Sequence, residues 1–377
     1  MTAAQPSPGA RADRHSARAA QVLGLCLPND VVLYLLLPMY ADSFGVSLAQ
    51  AGVLLAANRL VRIVGYGSVV RFYARHGDRA TCGLAALASV LCALGYATLS
   101  GFAALVVLRL LWGLAYAGLN LSTQTLATAE AIGAARRAGR SRALISIGPM
   151  LALPLAALLA QACGPRVIFL LLAASALLGL WRSRALPSAG HPLNAPGGRR
   201  LRWPDSIATW SFVEGVALDG LFIFGLSLYA QTHLGATGVL MAGALMAVRY
   251  LSEILFSPIG GRLADRFGAL RMLVAMSLTT SAALLVFGSP WLFVGAFAVL
   301  VLRALQLPLV VTLVAERNPG QGRIQALAGN AIWRDIGAGL GPMLAGVLLP
   351  RVPALWAYAA AGTVLAISAV ACAVRRH

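Results

Sequence analysis

Asp30, Glu214 and Asp219 each interrupt a long apolar stretch of the chain. A carboxylate in such surroundings has its charged form disfavoured by desolvation, so it can load and release a proton near neutral pH. Two more carboxylates, Glu253 and Asp335, and six arginines, Arg59, Arg62, Arg109, Arg249, Arg303 and Arg334, also sit inside apolar segments. One charge near the centre of a bilayer costs roughly 2.5–3.5 kcal/mol. Groups this numerous must face one another or water, and a polar cavity inside a membrane protein is the simplest way to satisfy them.

The arginines suggest anion chemistry, because a planar guanidinium fork binds two oxygens of a carboxylate or phosphate at once. Arg59 and Arg62 are candidates to meet an anionic group on a substrate; the alternative is a salt-bridge network that only holds helices together. Arg249 and Glu253 lie four apart and can pair along one helical face. Arg109, Gly113, Tyr116, Asn120, Thr123 and Gln124 form one polar stripe at helical spacing. That stripe either lines a cavity or knits helices through hydrogen bonds. Tyr34 follows Asp30 on its own face. Glu214 and Asp219 are five apart, about 140° around an α-helix, which predicts that they face different spaces. The cysteines have no CxxC spacing and the histidines form no ligand pair, so neither a metal site nor a cofactor is expected.

The elements that position these residues are apolar. Of 377 residues, 59% are hydrophobic and 11% charged, and runs of about 20 apolar residues recur from end to end. The expected class is an all-α polytopic membrane protein. The net charge of +18 first suggests nucleic acid, but no basic stripe carries interleaved aromatics. All thirty basic residues are arginine, and this absence of lysine fits a GC-rich bacterial genome.

Twelve spans are predicted near 20–41, 47–70, 80–99, 102–127, 141–162, 166–182, 207–231, 236–260, 269–288, 291–315, 325–349 and 353–374. On that placement twenty-two arginines fall in the termini and even-numbered loops, two in odd-numbered loops and six within spans. By the positive-inside rule both termini are expected in the cytoplasm. Trp181, Trp203, Trp210, Trp291 and Trp356 fall at or near span ends, as interfacial anchors do. The expected organisation is a cytoplasmic tail over 1–19, a six-helix bundle over 20–182, a cytoplasmic linker over 183–206 and a second six-helix bundle over 207–377.

The halves repeat. Asp30 and Tyr40-Ala41 match Asp219 and Tyr229-Ala230 at an offset of 189, and Arg71, Arg75 and Gly77 match Arg262, Arg266 and Gly268 at 191. Leu108-Arg109 matches Leu302-Arg303 at 194, and Gly148-Pro149 matches Gly341-Pro342 at 193. Parallel six-helix repeats with a site at their interface are an architecture of secondary transporters.

Gly260-Gly261-Arg262-Leu263-Ala264-Asp265-Arg266-Phe267-Gly268 resembles the signature loop of the major facilitator superfamily, in its copy after span 8. Arg109-Leu110-Leu111-Trp112-Gly113 resembles that family's span 4 arginine motif, and Gly148-Pro149 the core of its span 5 antiporter motif. The resemblance implies a fold of two pseudo-symmetric six-helix bundles and a role for Arg109 in proton coupling. The first-half loop departs from the pattern: Ala74 stands where the family has an aspartate.

That departure suggests a gate with its signs exchanged. Asp265 is expected to meet Arg142 at one contact between the halves, and Arg71 or Arg75 to meet Asp335 at the other; the alternatives are independent solvated charges, or an Asp335 that belongs to the cavity network. The expected function is proton-coupled transport, with efflux of a small amphipathic or anionic metabolite preferred over uptake of an organic anion. The protein is expected to act as a monomer in a bacterial inner membrane, its partners being the substrate, protons and lipid, with no catalytic residue. An integral-membrane enzyme or a non-transporting sensor is the rival of another class.

Overall fold

The computed structural model describes residues 7–191, 203–226 and 238–374. Tyr229-Ala230, part of the repeat, and the middle of the predicted linker lie outside the described residues. Among the described residues, twelve helices run through the bundle. These are α1 (Pro8–Met39), α2 and α3 (the two limbs of Leu48–Thr98), α4 (Phe102–Ala127), α5 (Ala134–Cys163) and α6 (Val167–Ser183) in the first half. The second half comprises α7 (Ser206–Leu226), α8 (Gly238–Phe267), α9 (Ala269–Phe287), α10 (Leu292–Arg317), α11 (Arg323–Leu348) and α12 (Ala354–Val374). Helix α6 is shorter than the others but apolar, and α11 carries Arg334 and Asp335 near its middle.

Helix α1 starts at Pro8 rather than near residue 20, so much of the expected tail is helical. Ser7 caps it and Pro8, which needs no amide partner in the first turn, begins it. Ala12, Ser16 and Ala19 are buried there, and the Ser16 hydroxyl lies 2.7 Å from that of Ser141 on α5. Pro28 interrupts α1 because it brings no amide hydrogen to the helical ladder. Helix α2 begins with a reciprocal capping box between Ser47 and Gln50. Its junction with α3 is Gly77, at φ +73°, and the matching junction of α8 and α9 is Gly268, at φ +88°. Only glycine takes that left-handed backbone without penalty.

Within each half, glycines let two helices touch backbone to backbone. A Cβ on Gly148 of α5 would strike the carbonyl of Gly24 on α1, and one on its counterpart Gly341 of α11 would strike Gly220 on α7. Two apolar cores result. One is built mainly from α1–α6, and the other from α7–α12 with Tyr66, Val70 and Tyr73 of α2 joining it. The halves meet closely at the face that carries Pro8 and Val374, here called the terminal face. A Cβ on Gly139 of α5 would enter the carbonyl of Ser257 on α8, and one on Gly261 would enter that of Ala135. Arg323 of α11 donates to the Thr128 carbonyl after α4 at 2.5 Å. At the opposite, distal face much of α2 over 48–56 and of α11 over 339–348 is exposed.

Candidate functional site

Between the halves lies a cavity of about 110 Å³. Its wall includes Tyr66, Tyr116, Asn120 and Gln124 from α2 and α4, Ser141, Arg142 and Ile145 from α5, and Trp210, Ser211 and Glu214 from α7. Arg303, Gln306 and Val310 of α10 and Asn330, Arg334 and Asp335 of α11 complete it. A layer of ion pairs lies along and behind this wall.

The layer carries one motif twice. Arg109 of α4 ion-pairs with Asp30 of α1, and its counterpart Arg303 of α10 pairs with Asp219 of α7 at 2.6 Å. In the first half the pair is enclosed. Arg109 is fully buried and also donates to the Leu54 carbonyl at 2.9 Å, while Asn58 donates to Asp30 at 3.1 Å. The Tyr34 hydroxyl donates to the Leu55 carbonyl, and its ring lies 5.3 Å from the Arg109 guanidinium. Arg109 and Gly113 pack against α2, and the rest of the predicted stripe, Tyr116, Asn120, Thr123 and Gln124, lines the cavity.

In the second half the network is wider. Asp219 takes Arg249 at 3.1 Å and Arg334 at 2.6 Å besides Arg303. Glu214 meets Arg334 at 3.0 Å and Arg303 at 3.8 Å. Glu214 and Asp219 therefore share two guanidiniums, contrary to the expectation that they face apart. The cause is local: Gly215–Phe222 is wound as a π-helix. Hydrogen bonds from i to i+5 bring residues five apart onto one face, where an α-helix would separate them.

The expected gate pairs are not formed. Arg142 pairs through two nitrogens with Glu253, at 2.9 and 3.1 Å, and not with Asp265. Asp265 is exposed, with Arg136 and Arg137 as its charged neighbours. Asp335 binds Arg62 at 2.8 Å, while Arg71 is exposed and donates to Ser68, and Arg75 is exposed. The partners are chosen by depth: Arg62 and Glu253 lie roughly two and a half to three and a half helical turns inside the loop residues expected to form these pairs. The sign exchange survives at that depth. Arg62 on α2 matches Glu253 on α8, and Arg142 on α5 matches Asp335 on α11, so the α2–α11 and α5–α8 clasps carry opposite polarity. Glu253 is fully buried and also receives Ser146 at 2.6 Å and Arg303 at 2.8 Å, with Arg249 at 3.7 Å.

Of the predicted cavity residues, Tyr116, Asn120 and Arg303 line the space. Tyr34, Arg59, Arg62, Arg249 and Glu253 stand behind the wall. Arg59 has no carboxylate within ion-pair distance among the described residues, and its Nη1 is buried without a hydrogen-bond partner. Arg266 stacks over Phe267 at 5.1 Å on the terminal face. Trp210 is not an interfacial anchor: it is buried, lines the cavity, and donates to Ser277 at 3.0 Å.

Asp78 carries no motif and lies outside the predicted spans. It is fully buried directly after Gly77 and receives Tyr73 at 2.7 Å and Ser122 at 2.6 Å, with His191 at 3.1 Å. The backbone after α6 is bound there too, since Arg79 donates its amide to the Pro187 carbonyl and His191 donates to that of Ala74. A buried acid thus stands four residues beyond Ala74, where the family's aspartate is lost. Its only sequence signal was that position.

Residues 23–248 and 211–377 match the sequence profile of the Major Facilitator Superfamily. The chain belongs to this family. It is a multi-pass membrane protein of a family of transporters that bind small-molecule substrates. Among curated relatives it is 30% identical over 164 residues to a multidrug resistance protein, MdtG, of Serratia proteamaculans (strain 568). That match spans 41% of this chain and 39% of the relative. It is 33% identical over 125 residues to MdtG of Dickeya zeae (strain Ech586), spanning 32% of the chain and 31% of the relative. The chain thus aligns with less than half the length of either. Two solved structures share the whole architecture. The human organic anion transporter MFSD10 superposes with a TM-score of 0.78 at 15% identity, over 98% of this chain and 100% of that one. The proton:xylose symporter XylE superposes with a TM-score of 0.76 at 14% identity, over 96% and 95%. At these identities the likeness concerns the fold.

Proposed function

We propose that this protein is a proton-coupled secondary transporter that works by alternating access, with efflux of a small amphipathic or anionic metabolite as its activity. The membrane is the bacterial inner membrane, with the terminal face in the cytoplasm. The observation that carries this reading is the repeated carboxylate–arginine pair, Asp30–Arg109 and Asp219–Arg303, set beside a cavity with polar lining between two half-bundles. A proton on Asp30 would release Arg109, and with it the tie between α1 and α4. Asp30 suits this part better than Asp219, because one guanidinium holds it against three. Protonating a carboxylate forfeits each such attraction.

Efflux is favoured by the multidrug resistance relatives, to the extent that the chain aligns with them. Uptake of an organic anion is the second reading, supported by the surplus of arginine in the charged layer. At about 110 Å³ the cavity is smaller than the roughly 300–1,000 Å³ pockets that take drug-sized ligands. A larger substrate must enter when the halves part. The test is flux in proteoliposomes holding the purified protein and a pH-sensitive dye, with a panel of small aromatic carboxylates added. The protein should move protons on addition of a substrate, and Arg109→Ala should abolish this while remaining folded in the membrane. Proton-driven flux retained in Arg109→Ala would make Arg109 a packing residue.

A further inference from the structure

The cavity wall contains three arginines, and they are not equivalent. Arg303 is 2% exposed, and both terminal nitrogens of its guanidinium are engaged by carboxylates, Nη1 by Glu253 and Nη2 by Asp219. Arg142 and Arg334 are 21% and 30% exposed. Arg142 uses Nε and Nη2 on the two oxygens of Glu253. Arg334 uses Nε on Glu214 and Nη2 on Asp219. In each, Nη1 has no hydrogen-bond partner among the described residues. A guanidinium fixed along one edge by buried carboxylates is pre-organised, so little side-chain entropy remains to be lost when its free nitrogen binds a ligand.

We propose that these two free nitrogens receive the substrate, and that the substrate is a small organic monoanion. Its carboxylate, or an equivalent planar two-oxygen group, would take the Nη1 donors, with its body against Tyr116 and the apolar wall of Ile145, Val310 and Val311. Tyr116 is a polar neighbour of both arginines. The charge of the wall favours an anion: its two carboxylates are already matched, Asp335 to Arg62 and Glu214 to Arg334, while Arg59 behind it has no carboxylate within ion-pair distance among the described residues. A cation would displace an internal guanidinium to gain a carboxylate, whereas an anion needs no ion pair broken. Arg142 belongs to α5 and Arg334 to α11, so one bound anion would tie the first half to the second. This assigns to Arg142 and Arg334 the anion-binding part that sequence spacing suggests for Arg59 and Arg62, and it rests on the transporter reading above.

The test uses the purified full chain and three probes of one shape, benzoate, benzamide and benzamidine, the last a cation at neutral pH. Binding is followed by tryptophan fluorescence, Trp210 being in the wall, and by titration calorimetry. Benzoate should bind saturably and the other two should not. Arg142→Lys and Arg334→Lys keep a charge beside Glu253 and Glu214 but lose the fork, and each should weaken benzoate at least tenfold with the unfolding temperature nearly unchanged. Arg166→Lys, on the distal loops, should bind as the parent does. Saturable benzamidine without benzoate, no saturable benzoate, or benzoate affinity unchanged in both lysine variants would overturn the proposal. The comparison of probes on the unaltered protein decides the charge class even if a variant misfolds. Should benzoate fail while proton-coupled opening of the halves persists, the anion assignment falls and the transporter reading stands; should both fail, both fall.

Discussion

Arg109 and Arg303 hold equivalent carboxylates in very different company, and that difference separates the roles of Asp30 and Asp219. Asp30 has one guanidinium and one amide partner, whereas Asp219 is shared by three guanidiniums. Asp30→Asn should therefore leave a folded protein whose transport no longer varies with pH. Asp219→Asn leaves three arginines short of counter-charge, and removing one partner of a buried ion pair costs about 3–5 kcal/mol. Asp30→Asn likewise leaves the fully buried Arg109 without its carboxylate, so both variants should lower the unfolding temperature in detergent. Their roles are told apart by the pH profile of transport, which Asp30→Asn should flatten and Asp219→Asn should not; the opposite result would exchange them. The sequence shows which residues carry charge in the apolar spans, because a buried charge is conspicuous there. It does not show their partners. Arg142, at the edge of a predicted span, pairs several turns deeper than its position suggests, and Asp78 looks like a loop residue.

Helix α7 shows where element-level reading succeeds and where it stops. Its existence and its start follow from apolar periodicity, but its π-helical winding does not, since no residue over Gly215–Phe222 forbids an α-helix. That winding, about one extra residue in a turn, decides whether Glu214 and Asp219 share Arg334. The repeat was legible in the near-constant offset of Arg109 and Arg303 and of Gly148 and Gly341. The depth at which the halves clasp was not, because it depends on how the helices cross. Arg62 and Asp335 join α2 to α11 with side chains 6% and 15% exposed. Arg62→Asp or Asp335→Arg alone should each impair transport by placing like charges together. The double variant, with the pair reversed, should recover part of it. If it is no better than either single variant in the same flux measurement, the contact is incidental packing.

Across the whole molecule, the twelve described helices place Pro8 and Val374 on one face, and the proposed orientation, which rests on the arginine distribution, puts that face in the cytoplasm. Reporter fusions at Ser188 and Ser289 should score inside and outside, respectively; the opposite result at either site would discard that orientation. The central claim is that the two halves rock about the cavity and that protonation biases them. The terminal face is closed by contacts of α5 with α8 and of α11 with the end of α4, so opening it must separate Arg75 on α2 from Arg266 on α8, both exposed. Spin labels at Arg75→Cys and Arg266→Cys, with the exposed Cys163 changed to serine and the four buried cysteines kept, report that separation by pulsed dipolar spectroscopy. Two distance populations are predicted, with a ratio that shifts with pH in the parent and stays fixed in Asp30→Asn. A single distance that ignores pH in both proteins would contradict the account.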